Sequence, residues 1–520
     1  MTTLPTTTSD YQYKAGAPAP FDHQVAGFEA TRDKEAYGIF WEQRCGKSRV
    51  VIDTAAYLYQ QGKIDALFLV APSGVQLNWI LDEIPAWLPE SVAAEAKMHC
   101  YNTAKAATAA HQAALKELLV HKGFAVLAMS FSSFMTKPSE KERKARIKKG
   151  KDVAWAFLKK RRCLYVVDEA HHIKTPGKKR TISIIASGVY AHYRRVLTGT
   201  PASEGPFDTY APVRFLDHAF WARRGMSQFS SFRTHFGVFL TPEQLLDQKG
   251  YIPMVKNKKG KMVAYPVFAG YRNIPELNRH LATISHRVTQ DQVLKLPPAL
   301  YQKRYFEMTP RQARLYDTLK TEYEIEIEKG VFISAALAIV RHGRLQQIAS
   351  GYVPDDSGEP RSTIEPDRED PRMELLKETL EDITGQVVIF CQYRLDVSRI
   401  MAFLGEEAVR YDGSITDEEG AANRIAFREG KARYIVVTFS KGSEGLNFAT
   451  AQTVVIYSHT IKSVQRSQAE ERIKAPNQTH HCTYVDLIGR NTVDELIIKA
   501  LRDKRDVSAA ITGDTLREWI

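Results

Sequence analysis

Short runs of consecutive apolar residues recur along the first half of the chain, each bounded by charged or turn residues. They include Ala66-Leu67-Phe68-Leu69-Val70, Ala125-Val126-Leu127-Ala128-Met129 and Cys163-Leu164-Tyr165-Val166-Val167. Runs of this length without polar alternation fit strands buried on both faces of a parallel sheet. Helical patterns separate them, which predicts an α/β layered fold. A second series starts near Gln386, with Val387 to Phe390, Tyr434 to Val437, Thr453 to Ile456 and Thr483 to Val485. Residues 213–385 differ, being rich in charge and in longer helical patterns such as Thr309 to Glu328. Val255 to Tyr265 reads as a basic hairpin around Gly260, and Pro354 to Pro371 as a linker. The pattern predicts two parallel-sheet α/β lobes with a helical insertion between them. Residues 1–20 are expected as a flexible tail, 21–240 as the first lobe and 241–385 as a helical and basic insertion with linker. The second lobe follows over 386–505, and 506–520 as a C-terminal tail.

Composition narrows the function. Of 520 residues, 44% are hydrophobic and 25% charged, an ordinary globular balance. Seventy-two Lys and Arg against 60 Asp and Glu leave a net charge of +12, which favours a polyanionic partner. Lys141 to Lys151 holds seven basic residues in eleven, and Lys159 to Arg162 four in four. Each run reads either as a solvated helix face or as a phosphate contact. No apolar run approaches the roughly 18 residues of a membrane helix, and Met1 to Asp10 carries no secretory pattern. The five cysteines form no C-x-x-C pair, so neither a zinc site nor a disulfide framework is indicated. A protein of a reducing compartment, hence the cytoplasm of a bacterial or phage-infected cell, is expected.

Two segments carry chemistry. Gly46-Lys47-Ser48 stands between the apolar Tyr37 to Phe40 and a helical Arg49 to Tyr59. Backbone N–H groups at such a helix start cradle phosphate, Lys47 reaches the outer phosphates, and the Ser48 hydroxyl can hold Mg²⁺. Trp41 occupies the place of the loop's usual first glycine. In Val166-Val167-Asp168-Glu169-Ala170-His171, a strand delivers two carboxylates at its C-terminal edge, where ligands of α/β sheets sit. Asp168 can hold the metal and Glu169 can orient the attacking water.

These motifs, in this order, resemble superfamily-two helicase-like ATPases, and within them the SWI/SNF-type double-stranded DNA translocases, in a compact phage-like form. Phe21-Asp22-His23-Gln24 resembles the glutamine motif, implying that Gln24 reads adenine. Val70-Ala71-Pro72-Ser73, then Leu77-Asn78-Trp79 and Glu83, resemble the next motif. Leu197-Thr198-Gly199-Thr200-Pro201 resembles the one that couples hydrolysis to nucleic acid. In the second lobe, Val388 to Tyr393, Thr438-Phe439-Ser440 with Glu444-Gly445-Leu446-Asn447, and Gln468-Ala469-Glu470-Glu471-Arg472 to Gln478 follow. The resemblance implies two RecA-like lobes, ATP and Mg²⁺ as cofactors, and a monomer tracking on duplex or branched DNA, with room for a protein partner. It implies catalytic roles for Lys47, Asp168, Glu169 and Arg472, and nucleotide contacts from Gln24, Gly46, Lys47, Ser48 and Gly445. Pro72, Ser73, Thr198, Thr438 and Ser440 are implied to contact DNA, and Ser48 and Asp168 to hold Mg²⁺. One departure stands out. Where the last motif usually has a second arginine, this chain has Ala475, beside Lys474 and before Pro476. An ammonium does not replace the planar fork of a guanidinium.

Overall fold

The structure, a computed structural model, describes residues 7–512 apart from 9, 145–147, 250–253, 257–261, 265, 294–296, 329–334, 356, 358, 443–446, 476 and 477. The chain divides into two compact units, one built on Met1–Phe236 and Arg272–Leu294, the other on Gly237–Tyr271 and Lys295–Asp506.

The first unit holds a seven-stranded parallel sheet. In chain order its strands are β1 (Ala36–Trp41), β2 (Ala66–Ala71), β3 (Lys97–Cys100), β4 (Ala125–Ser130), β5 (Cys163–Val167), β6 (Tyr193–Leu197) and β7 (Ser285–Val288). Across the sheet they run β7-β1-β6-β5-β2-β4-β3. Alternation along β2 explains its uninterrupted apolar run. Phe68 and Val70 pack into one core with Leu127, Tyr165 and Phe215, while Leu67 and Leu69 pack into another with Val126, Leu164, Trp41 and Trp79. Each such side chain contributes roughly 1.5–3 kcal/mol on burial.

Two expectations fail here. β7 comes from the stretch read as an insertion, yet it lies beside β1 in full parallel register, with Arg287 opposite Phe40. Its Ser-His-Arg-Val sequence suits an edge strand and hides from an apolar-run search. The predicted N-terminal tail is also tied down from Asp10 onward. Tyr11 is buried against Phe28 and Tyr57, and its hydroxyl donates to Asp53 Oδ1 at 2.8 Å. Arg49 donates to the Pro18 carbonyl at 2.7 Å.

The second unit has a six-stranded parallel sheet of β8 (Leu300–Phe306), β9 (Val387–Cys391), β10 (Ala408–Tyr411), β11 (Tyr434–Thr438), β12 (Thr453–Ile456) and β13 (Thr483–Gly489). Its order is β8-β13-β12-β9-β11-β10. A helix spans Pro310–Glu328, as the periodicity predicts. The expected linker is instead a hairpin, Tyr352–Pro354 against Pro360–Ser362, followed by buried Thr363 and Ile364. Arg372 pairs with Asp494 and Arg466 with Asp486 and Glu470, all buried. Helix Val493–Thr512 continues into the expected C-terminal tail. The arms of the basic hairpin, Met254–Lys256 and Met262–Ala264, pair antiparallel, and its tip lies outside the described residues.

Candidate nucleotide and nucleic-acid sites

The carboxyl ends of β1, β2, β5 and β6 are the ends from which ligand-binding loops of open α/β sheets emerge. After β1 the chain turns through Glu42 to Gly46 and enters helix α1 (Lys47–Gln60). Gly46 has φ +78°, and a Cβ there would lie 1.9 Å from Gln24 Nε2. Only glycine fits both the left-handed backbone and the close approach. Gln24, in the helix Asp22–Thr31, accepts from the Phe21 N–H at 2.9 Å and reaches the Gly46 carbonyl at 3.5 Å. His23 Nε2 lies 2.8 Å from the Cys45 carbonyl. The glutamine motif and the phosphate loop therefore meet.

Lys47 donates to the carbonyls of Trp41 and Glu42 at 3.0 and 3.1 Å. Trp41, where a glycine was expected, turns its indole inward. Its N–H donates to His286 Nδ1 at 2.9 Å, and Gly27 leaves room for the ring. Burial pushes the Glu83 carboxyl up, while hydrogen bonds from Trp87 and Ser48 pull it back. Ser48 and Glu83 are thus in contact.

Beyond β5, Asp168 and Glu169 are held in opposite electrostatic states. Burial raises Asp168, the Glu169 charge adds to this, and a 2.9 Å hydrogen bond from the Trp79 indole partly offsets both. Burial also works against the Glu169 charge, but His171, with Nδ1 3.2 Å away, together with Lys47 holds it well below the usual carboxylate range. The left-handed φ of +50° at Glu169 aims this carboxylate. Lys47, Asp168 and Glu169 form one electrostatic cluster, able to neutralise phosphate charge and orient a water.

Three buttresses of this loop were not read from the sequence. Arg287 donates to the Phe40 carbonyl at 2.7 Å and the Gly199 carbonyl at 3.2 Å, and pairs with Glu42 at 3.4 Å. Gln290 donates its backbone N–H to Glu42 Oε2 and its amide to the Gln43 carbonyl, at 2.8 and 2.9 Å. His286 is the third, through Trp41. His286 and Arg287 stand on β7 and Gln290 two residues beyond it, where the only sequence signal is a short mixed segment.

The residues implied to touch DNA divide. Ser73 is exposed, its hydroxyl 3.2 Å from that of Ser132, and Ser440 is exposed with its hydroxyl 3.3 Å from that of Thr438. Pro72, Thr198 and Thr438 are buried at strand ends, and the Thr198 hydroxyl accepts from the Thr200 N–H at 3.1 Å. These three shape loops and present no surface to a strand. In the first basic run Lys141, Lys144 and Lys148 are exposed. In the second, Lys159 and Lys160 are exposed, but Arg161 turns inward onto the carbonyls of Asp65, His121 and Gly123. Arg161 braces the sheet rather than solvating a face.

In the second unit, Arg472 donates to the Gln468 carbonyl at 3.0 Å and Lys474 pairs with Glu471 at 2.6 Å. Ala475 and Gln478 exchange hydrogen bonds, Ala475 N–H to Gln478 Oε1 at 3.0 Å and Gln478 N–H to the Ala475 carbonyl at 3.1 Å. Gly445 lies outside the described residues.

A SNF2-related domain model matches residues 32–350, and a helicase conserved C-terminal domain matches 371–475. The TATA-binding protein-associated factor mot1 of Aspergillus fumigatus is 23% identical over 396 residues, covering 67% of this chain and 20% of that protein. The probable ATP-dependent DNA helicase CHR12 of Arabidopsis thaliana is 23% identical over 486 residues, covering 90% and 39%. The chain thus spans between one fifth and two fifths of the length of these relatives. The solved Sulfolobus solfataricus SWI2/SNF2 ATPase core in complex with dsDNA covers 97% of this chain and 96% of its own, at 18% identity and a TM-score of 0.38.

Proposed function

The chain belongs to the SNF2-related family of helicase-like ATPases, and from that premise we propose that it is a DNA-stimulated motor that tracks on duplex or branched DNA and remodels it or the proteins bound to it. The observation that carries the reading is the cluster of Lys47, Asp168 and Glu169 behind a glycine loop that meets Gln24. Ser48 and Asp168 supply oxygen donors only, a set that would hold a hard Mg²⁺, and the ion would supply positive charge against phosphate. Lys47 neutralises phosphate charge, and Glu169, kept ionised, orients water for in-line attack. Ser73, Ser440 and the exposed lysines of both basic runs supply polar and cationic groups for a phosphate backbone.

The test is ATP turnover with duplex, single-stranded, forked and four-way DNA. Stimulation by duplex or branched DNA is expected, together with DNA affinity that falls steeply with salt through counterion release. Turnover indifferent to every DNA would refute the motor. A second reading, an ATP-gated DNA-binding module of weak turnover, rests on Ala475, because Lys474 is committed to Glu471. DNA binding that responds to ATP without appreciable hydrolysis would select it.

A further inference from the structure

We propose that Arg287 is a positioning residue for ATP turnover that clips the phosphate loop to the Gly199 turn, an inference that rests on the ATPase reading. Its guanidinium serves three acceptors at once: the carbonyls of Phe40 and Gly199 and the Glu42 carboxylate. The loop and the turn already touch. A Cβ at Gly199 would meet Gln43 N at 3.4 Å and the Trp41 carbonyl oxygen at 3.5 Å. Gln290 fixes the same loop from the same segment, through Glu42 and Gln43. The Trp41 and Glu42 carbonyls so framed are the ones that accept from Lys47. Arg287 therefore sets where the Lys47 ammonium sits, without facing phosphate itself.

A contrast on β6, the strand on the other side of β1, separates this role from simple bracing. Arg195 of β6 is fully buried, and its guanidinium is bonded to the carbonyls of Thr31, Glu35 and Arg194. Thr31 and Glu35 flank the turn that leads into β1, and Arg194 stands opposite Ala36 at the start of β6, all at the end of the sheet away from the phosphate loop. Arg287 sits at the ligand end, with a side chain still 20% exposed. Three acceptors in different directions need a planar fork, which lysine lacks.

The test compares the full chain with Arg287→Ala and Arg287→Lys, reading kcat, KM for ATP and Tm at saturating duplex DNA. Misplacing Lys47 is felt most in the transition state, so kcat in Arg287→Ala should fall by at least about tenfold, more than KM rises. Arg287→Lys should recover only a minor part of that loss. Millimolar free guanidinium should restore turnover in Arg287→Ala and leave wild type unchanged, a response a mere fold brace would not give. Wild-type kcat in folded Arg287→Ala, or a loss that tracks Tm without guanidinium rescue, overturns the proposal. If Arg287→Ala does not fold, Arg287→Lys decides: full activity overturns it, and weak activity at unchanged Tm supports it. Should wild type hydrolyse no ATP, the ATPase reading is what fails. The ATP-induced rise in Tm then tests Arg287, with loss in the variants expected and retention contradicting it.

Discussion

The Trp79 indole N–H donates to Asp168 Oδ2 at 2.9 Å, and both side chains are buried. A hydrogen bond to the charged form lowers a carboxyl pKa, so this one opposes the burial that raises Asp168. Removing it should push Asp168 higher still. A bond to a charged group contributes about 1.5–3 kcal/mol, equivalent to about one to two pH units. Asp168 would hold Mg²⁺ only when ionised, so on the proposed ATPase reading Trp79→Phe should move the acid limb of the pH–turnover profile upward by that amount. An unmoved limb would mean the indole only packs.

Lys47→Ala should abolish turnover, by about a hundredfold or more, because the ammonium meets charge that develops on phosphate. Glu169→Gln should retain nucleotide yet block hydrolysis, since that carboxylate serves the water. Filter binding of labelled ATP beside turnover separates the two. Full activity in either variant removes the assignment.

Asp53 lies behind the phosphate loop with a carboxyl that burial pushes up to about 6, against the pull of Tyr11 and Arg49. A folded-state pKa above the unfolded value contributes stability at low pH, and that contribution is lost as pH rises through about 6. The loss for one such group is about 3 kcal/mol, at 1.36 kcal/mol per unit. Asp53→Asn should therefore gain on wild type in urea unfolding as pH climbs from about 4 to about 7. A difference constant with pH would show that Asp53 titrates normally.

Ala475→Arg should raise DNA-stimulated turnover by about tenfold or more, with DNA affinity unchanged, because arginine fingers act on the transition state. No rise, together with collapse in Arg472→Ala, would assign the finger to Arg472.

What the sequence disclosed follows burial. β2, β4, β5, β9, β11 and β12 are uninterrupted apolar runs because both faces of a central parallel strand are covered. β7 and β8 are edge strands, and Ser-His-Arg-Val and Leu-Tyr-Gln-Lys-Arg-Tyr-Phe carry the polar residues that an open edge tolerates. Assigning 241–385 to an insertion concealed both. Gly46, Lys47, Asp168 and Glu169 were legible in short-range spacing and Gln24 in the family resemblance, and the structure sets Gln24 against Gly46 and Lys47 beside Asp168 and Glu169. Arg287 and Gln290 were not, since they act on a loop some 245 positions earlier in the chain. Thr198 and Thr438 show the converse: motif position marked them for DNA, and packing turned them inward.

That long separation bears on biosynthesis. As the chain leaves the ribosome, the Gly46–Ser48 loop emerges early, along with β2, β4, β5 and β6. Its braces on β7 arrive only after more than two hundred further residues, and late contacts of such high sequence separation are slow to form. A nascent chain stalled before Ser285 would display a hydrophobic sheet with β1 exposed at its edge and the loop unfastened. Nucleotide binding is therefore expected to mature late in synthesis, and premature termination anywhere before β7 should yield aggregation rather than a partly active ATPase.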